Sequence, residues 1–274
     1  VTRQLAYQKT QTRLEAAGKP ALEARWLLAR VLEQPEAAPL DLNGNLTIPQ
    51  RKMLEQLLER RVAGYPLQYL LGSALFCGLH LEVRPGVLIP RPETEGLVEL
   101  VRQLLPSQAV SGVDVGTGSG AIALALSHLR PQDRWSGTDI NPAAVELARY
   151  NAAQLGLNQT VFSLNSLVGP HSQLDWVVSN PPYLPQAYRE LAPPELAHEP
   201  PEALYSGTNG LDMPLQLLQE AWLALRPGGG LALELDPGNI EILAQQAHGW
   251  GWQSVEVHPD LSQRKRYLTA RKPG

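Results

Sequence analysis

Between residues 110 and 270 the chain alternates short apolar runs with stretches of helical period, and this alternation limits its fold more than any other feature. Strands are expected at 110–115, 134–139, 160–164, 175–179, 231–235, 252–257 and 266–270. Helices are expected between them at 121–129, 142–155, 211–225 and 240–248. Strands that alternate with helices pair in parallel, because each helix carries the chain back across the sheet. The expected fold class is therefore α/β, a mostly parallel, doubly wound sheet. Such sheets place ligands at the carboxyl ends of their strands.

The first part of the chain reads differently. Leu22, Trp26, Ala29 and Leu32 recur at helical spacing after Pro20. A second helix is expected from Thr47, with Gln50 as its capping-box partner and Gly64 at its end. These helices carry no chemical motif. Residues 75–89 change period: Phe76, Leu79, Leu81, Val83 and Val87-Leu88-Ile89 read as strands broken by Arg84-Pro85-Gly86, a hairpin joining two domains. Pro90 and Pro92 hold the next stretch extended, and a helix is expected from Leu97. The expected division is 1–72 helical domain, 73–92 hairpin linker and 93–274 α/β domain.

Three motifs lie at the ends of expected strands. Gly116-Thr117-Gly118-Ser119-Gly120 follows the first and opens a helix. Glycines at alternate positions let a ligand lie against the backbone. The spacing is G-x-G-x-G, not the dinucleotide G-x-G-x-x-G, and no phosphate-binding lysine follows. The turn suits a nucleoside with an amino-acid tail, as in S-adenosylmethionine, better than a pyrophosphate. The second strand ends on Asp139, placed to accept from both ribose hydroxyls; Asn141 is the better N-cap for the helix that follows. Asp114 either orders the glycine turn or meets the cofactor's amino group.

Asn180-Pro181-Pro182-Tyr183 ends the strand at 175–179. A planar NH2 group is a poor nucleophile because its lone pair is delocalised. The Asn180 side-chain oxygen and the Pro181 carbonyl are placed to accept its two N–H bonds, the prolines fix the backbone, and the Tyr183 ring offers a stacking surface. These four residues are the expected catalytic and substrate-binding set. Residues 181–201 hold seven prolines and are expected to be mostly loop, of a length that is usually functional.

Composition bounds the alternatives. The chain is 43% hydrophobic and 18% charged, which fits a packed core. No apolar run is long enough to span a bilayer, and the start carries no signal-peptide pattern. Val1 stands first, so a residue or two upstream is expected. The single cysteine, Cys77, cannot form an internal disulfide; a reducing cytoplasm and a half-buried strand position are expected. None of His80, His128, His171, His198, His248 and His258 has metal-ligand spacing to another, and no metal is expected. Net charge is -4, but residues 1–72 carry about +3 and the remainder about -7. The acidic remainder disfavours a nucleic-acid substrate, and neither direct nucleic-acid binding nor a membrane role is expected. The runner-up reading is a nucleic-acid exocyclic-amine methyltransferase, since the same tetrapeptide can grip a base amine.

With these motifs in order, the chain resembles the HemK/PrmC family, the protein-glutamine N5-methyltransferases of peptide-chain release factors. The resemblance also rests on Tyr65-Pro66-Leu67-Gln68-Tyr69-Leu70-Leu71-Gly72-Ser73, on Leu88-Ile89-Pro90-Arg91-Pro92-Glu93-Thr94-Glu95, and on Glu199-Pro200-Pro201-Glu202-Ala203-Leu204 through Gly210-Leu211. It implies a Rossmann-like, seven-stranded class I methyltransferase sheet, a small N-terminal helical domain and a β-hairpin linker. It implies S-adenosylmethionine as cofactor, S-adenosylhomocysteine as product, and the glutamine of the release-factor Gly-Gly-Gln motif as substrate. One departure stands out. Where the family commonly has an acidic-aromatic pair near the adenine, this chain has Leu164-Asn165-Ser166-Leu167. Asn165 or Ser166 is then expected to meet the adenine amino group, with Leu167 against the ring.

Overall fold

The computed structural model describes residues 1–35 and 38–274, which divide into two compact units. One comprises residues 1–73 with the short segment 193–198; the other comprises 74–192 and 199–274.

The smaller unit is helical: α1 (Arg3–Ala16), α2 (Glu23–Val31), α3 (Ile48–Val62) and α4 (Leu67–Leu71). Thr47 and Gln50 form the expected capping box at the start of α3. Leu14, Leu27, Leu28, Leu54, Leu58 and Leu70 pack as its core. The buried Arg61 guanidinium donates to both Glu23 oxygens, at 2.5 and 2.9 Å, to Glu195 and to the Tyr65 carbonyl. Lys19 also pairs with Glu195. Segment 193–198 is thus held in this unit by the ion pairs of Glu195 with Arg61 and Lys19.

The larger unit begins with a hairpin, β1 (Ser73–Phe76) and β2 (Leu79–Glu82). Its turn is at Cys77-Gly78, where both φ are positive, 48° and 78°, the backbone that two-residue hairpins favour. This corrects two expectations. Cys77 is a turn residue rather than a strand residue, and Val87-Leu88-Ile89 is no strand, because the hairpin has already closed before Arg84. The next helix, α5 (Pro92–Leu104), also starts earlier than expected. Pro92 occupies its first turn, where a missing N–H costs nothing.

The remaining elements follow the expected alternation: β3 (Ser111–Val115), α6 (Ala121–Leu129), β4 (Arg134–Asp139), α7 (Pro142–Gln154), β5 (Val161–Leu164), β6 (Leu174–Ser179), α8 (Asp212–Ala224), β7 (Leu225–Glu234), α9 (Ile240–Gly249), β8 (Gln253–Pro259) and β9 (Lys265–Arg271). Three short 3-10 turns interrupt the proline-rich segment after β6. The seven strands form one sheet in the order β5-β4-β3-β6-β7-β9-β8. The first five pair in parallel, and β9 runs antiparallel between β7 and β8.

Both faces of the sheet are covered. Trp135, Trp176, Val178 and Ala232 pack with α5, α6 and α7 on one face. Val113, Val115, Val177, Leu231 and Leu233 pack with α8 and α9 on the other. Strand order reverses at β3 and β6: α6 leaves β3 toward β4, while β6 lies on the opposite side. A crevice opens there at the carboxyl ends of the strands, as α/β topology requires.

Candidate active site

The crevice is a cavity of about 1020 Å³, counting the space open at its mouth. Gly116, Thr117, Gly118, Ser119, Asp139, Asn165, Leu167, Asn180, Pro181 and Pro182 all line it. Gly120, Ser166 and Tyr183 do not. Three motifs separated by some 60 residues in sequence therefore converge on one space.

The glycine turn is built by backbone conformation. Gly116 and Gly118 adopt φ of 68° and 56°, which side chains rarely allow, and a Cβ on Gly116 would meet nothing within 4 Å. The backbone is bare where a ligand can lie. Gly120 serves packing instead. A Cβ there would press on Leu124, Phe162 and Ala148 at 3.0 to 3.2 Å, so this glycine lets α6 pack closely.

Asp114 and Asp139 brace the turn from beneath and from the side. The Thr117 hydroxyl donates to Asp114 Oδ2 at 2.6 Å, and the Ala123 N–H does so at 3.3 Å. Asp114 is buried, and burial pushes its carboxyl up to about 7. Of its two readings, ordering the turn is the one these bonds support. Asp139 Oδ2 accepts from the Gly118 N–H and Oδ1 from the Asn141 N–H, both at 2.9 Å. Each oxygen keeps a lone pair for a further donor. Burial pushes the Asp139 carboxyl upward, against the backbone N–H groups that pull it down. Asn141, not Asp139, caps α7 by accepting from the Ala143 N–H.

On the far side of Asp139, the Asn165 N–H donates to its carbonyl at 3.0 Å, fixing the loop after β5. Leu167 adopts a positive φ of 48°, and its carbonyl accepts from the Thr138 hydroxyl. Asn165 and Leu167 thus reach the cavity by backbone geometry despite the absence of an acidic-aromatic pair.

Asn180 sits just past β6. Its Nδ2 donates to the Thr94 hydroxyl at 3.0 Å, which leaves Oδ1 as the free end of the amide. Tyr183 is held at three points. Its hydroxyl lies 3.4 Å from Glu234, its carbonyl accepts from Asn239 Nδ2 at 2.9 Å, and Gly210 lies so close that a Cβ there would come within 2.0 Å of that carbonyl. Burial raises the Tyr183 hydroxyl far above its ordinary value, so it stays protonated. Its ring packs partly into the core shared with α8 and α9. In this structure Tyr183 fixes the loop from behind.

Beside the lining residues, Glu199 accepts from the Ile89 N–H at 3.0 Å and from Arg91 at 2.5 Å. This clasp joins the stretch before α5 to Pro200, Glu202 and Ala203, which also line the cavity. Sequence reasoning missed Thr94, Glu234 and Asn239 as parts of the site. Thr94 and Gly210 lay within stretches carrying the family resemblance; Glu234, at the end of β7, had only its strand-end position as a signal.

A bare glycine turn, a carboxylate with spare lone pairs and an apolar wall fit a nucleoside. The two carboxylates on the lining, Asp139 and Glu202, suit a ligand bearing positive charge. The sequence matches the PrmC N-terminal domain over residues 6–72 and the methyltransferase small domain over residues 93–209. A release factor glutamine methyltransferase of Deinococcus radiodurans is 43% identical over 99% of both chains. One from Moorella thermoacetica is 41% identical over 94% of both. Among solved structures, the hMettl16 catalytic domain in complex with MAT2A 3'UTR hairpin 6 superposes with a TM-score of 0.59 at 14% identity, covering 86% of each chain. A methyltransferase from Pyrococcus furiosus gives 0.55 at 20% identity, covering 82% of this chain and 99% of its own. These two share the class I methyltransferase fold with the larger unit.

Proposed function

This chain belongs to the release factor glutamine methyltransferase family, and we propose that it methylates the side-chain nitrogen of the glutamine in the release-factor Gly-Gly-Gln motif, with S-adenosylmethionine as donor. When bound, the donor supplies an activated methyl on a positively charged sulfur. The chain's own residues bind, orient and exclude water. Residues 116–119 take the amino-acid tail and ribose against bare backbone, Asp139 accepts from the ribose hydroxyls, and Asn165 and Leu167 flank the base.

The observation that carries this reading is the free Oδ1 of Asn180 on the same cavity as the glycine turn. Asn180 Oδ1 and the Pro181 carbonyl accept the two N–H bonds of the target amide. Held this way, the nitrogen keeps its lone pair directed at the methyl and rehybridises against fixed dipoles that need no rearrangement. Tyr183, tied to Glu234 and Asn239, keeps the loop from shifting. The helical unit, residues 1–72, docks the protein substrate, and its positive excess steers the approach.

Purified release factor incubated with labelled S-adenosylmethionine is expected to gain one methyl on the motif glutamine, located by peptide mass spectrometry. Label on duplex or single-stranded DNA and none on release factor would overturn the reading. Asn180→Ala is expected to lower kcat by about 10²–10³-fold, as does loss of one preorganised polar contact, with cofactor affinity nearly intact.

A further inference from the structure

An asparagine amide has two ends of opposite character, and only its oxygen accepts an N–H bond. Which end faces the reacting nitrogen is therefore a structural decision, and Asn180 does not make it alone. Its Nδ2 lies 3.0 Å from the Thr94 hydroxyl. Thr94 is buried, at 4% exposure, in the first turn of α5, and it lines the same cavity. Water has little access to compete for that hydroxyl.

In the structure the Thr94 oxygen accepts from the NH2 end of Asn180. The other end of the amide, Oδ1, is left for a ligand in the cavity that Asn180 lines. Glu234, 1% exposed at the end of β7, faces the Arg266 guanidinium at 4.0 Å and the Tyr183 hydroxyl at 3.4 Å, and so steadies the loop that carries Asn180.

We propose that Thr94 is a positioning residue for methyl transfer that sets which end of the Asn180 amide meets the target nitrogen. This rests on the role of Asn180 proposed for the methyl transfer. Thr94 itself touches neither the methyl nor the nitrogen that receives it. Without its hydroxyl the amide of Asn180 loses its fixed orientation, and the NH2 end opposes the N–H bonds of the substrate whenever it turns inward.

The test uses the full-length enzyme, purified release factor and S-adenosylmethionine, in single turnover. Thr94→Val keeps the shape and removes the hydroxyl; it is expected to slow methyl transfer roughly 10–100-fold, by analogy with the outer partners that orient metal ligands. Thr94→Ser restores the hydroxyl and is expected to run within about twofold of wild type, which separates the hydroxyl's role from packing. Affinity for S-adenosylhomocysteine, measured by calorimetry, is expected to stay unchanged in both variants. The decisive comparison is Thr94→Val made in the Asn180→Ala background, where it is expected to add less than about a twofold loss, because the amide it orients is gone. A full additional loss there, after a normal loss in Asn180→Ala, overturns the inference alone. Failure of Thr94→Ser to recover the rate overturns it too. A wild-type rate in Asn180→Ala by itself removes the role given to Asn180, and this inference falls with it.

Discussion

Replacing Asp139 with asparagine separates bracing of the turn from binding of the ribose. In the structure each carboxylate oxygen accepts one backbone N–H, from Gly118 and Asn141, at 2.9 Å. Asparagine keeps one acceptor and sets its NH2 against the other N–H, donor against donor. Hydrogen bonds to a charged group contribute about 1.5–3 kcal/mol each, so the variant is expected to lose roughly that much stability through one of these bonds. Its remaining lone pairs face the ribose in the proposed complex. Losing the charge and one of those acceptors is expected to cost a further ~1–3 kcal/mol of binding, about a 5–150-fold rise in Kd. Calorimetric titration with S-adenosylhomocysteine, which cannot react, measures the second effect, and urea unfolding without ligand measures the first. A fall in stability with unchanged Kd would refute the ribose assignment and leave Asp139 as a brace for the turn alone.

Asp114 gives a pH prediction. Its folded-state carboxyl lies at about 7 against an ordinary value of 3.8. The folded protein therefore holds a proton that the unfolded chain releases, and this group's contribution to stability declines as pH rises from about 4 to about 7, by ~1.4 kcal/mol per pH unit. Relative to wild type, Asp114→Asn is expected to gain about 2–3 kcal/mol between pH 5 and pH 8 in urea unfolding; parallel pH profiles for the two proteins would count against a proton held there. Glu23→Ala strips the buried Arg61 of its bidentate partner and is expected to destabilise the helical unit by about 3–5 kcal/mol. Retention of the wild-type unfolding midpoint would show that Glu195 and Tyr65 suffice for Arg61. Arg51 and Lys52 are exposed on α3; reversing both to glutamate is expected to raise KM for release factor severalfold at low salt and leave kcat unchanged. No change in KM at low ionic strength would place docking elsewhere.

Most of the sheet was legible in the sequence because each strand and helix of the larger unit carries its own period. Helix α6 and strand β4 begin and end where the pattern places them, β7 begins six residues earlier than expected, at Leu225, and the other elements of the alternating region differ by one or two residues at their ends. Helix α1 escaped because its buried positions are only Ala6, Thr10 and Leu14, too thin and too polar a stripe to show a period. The hairpin was placed too late because Cys77-Gly78 is not a sequence that advertises a turn, while Arg84-Pro85-Gly86 is. Motifs at strand ends were also legible, since a glycine turn or Asn180-Pro181-Pro182-Tyr183 bears its chemistry within a few adjacent residues. What the sequence alone did not disclose was which partners hold those residues. Asn180, Thr94 and Glu234 stand at the end of β6, the start of α5 and the end of β7, and no local pattern links three positions that far apart along the chain. The parallel pairing of β6 with β7 and the packing of α5 beside them bring the three together. Orientation of a side-chain amide depends on its neighbours in space, and those neighbours exist only once the chain has folded.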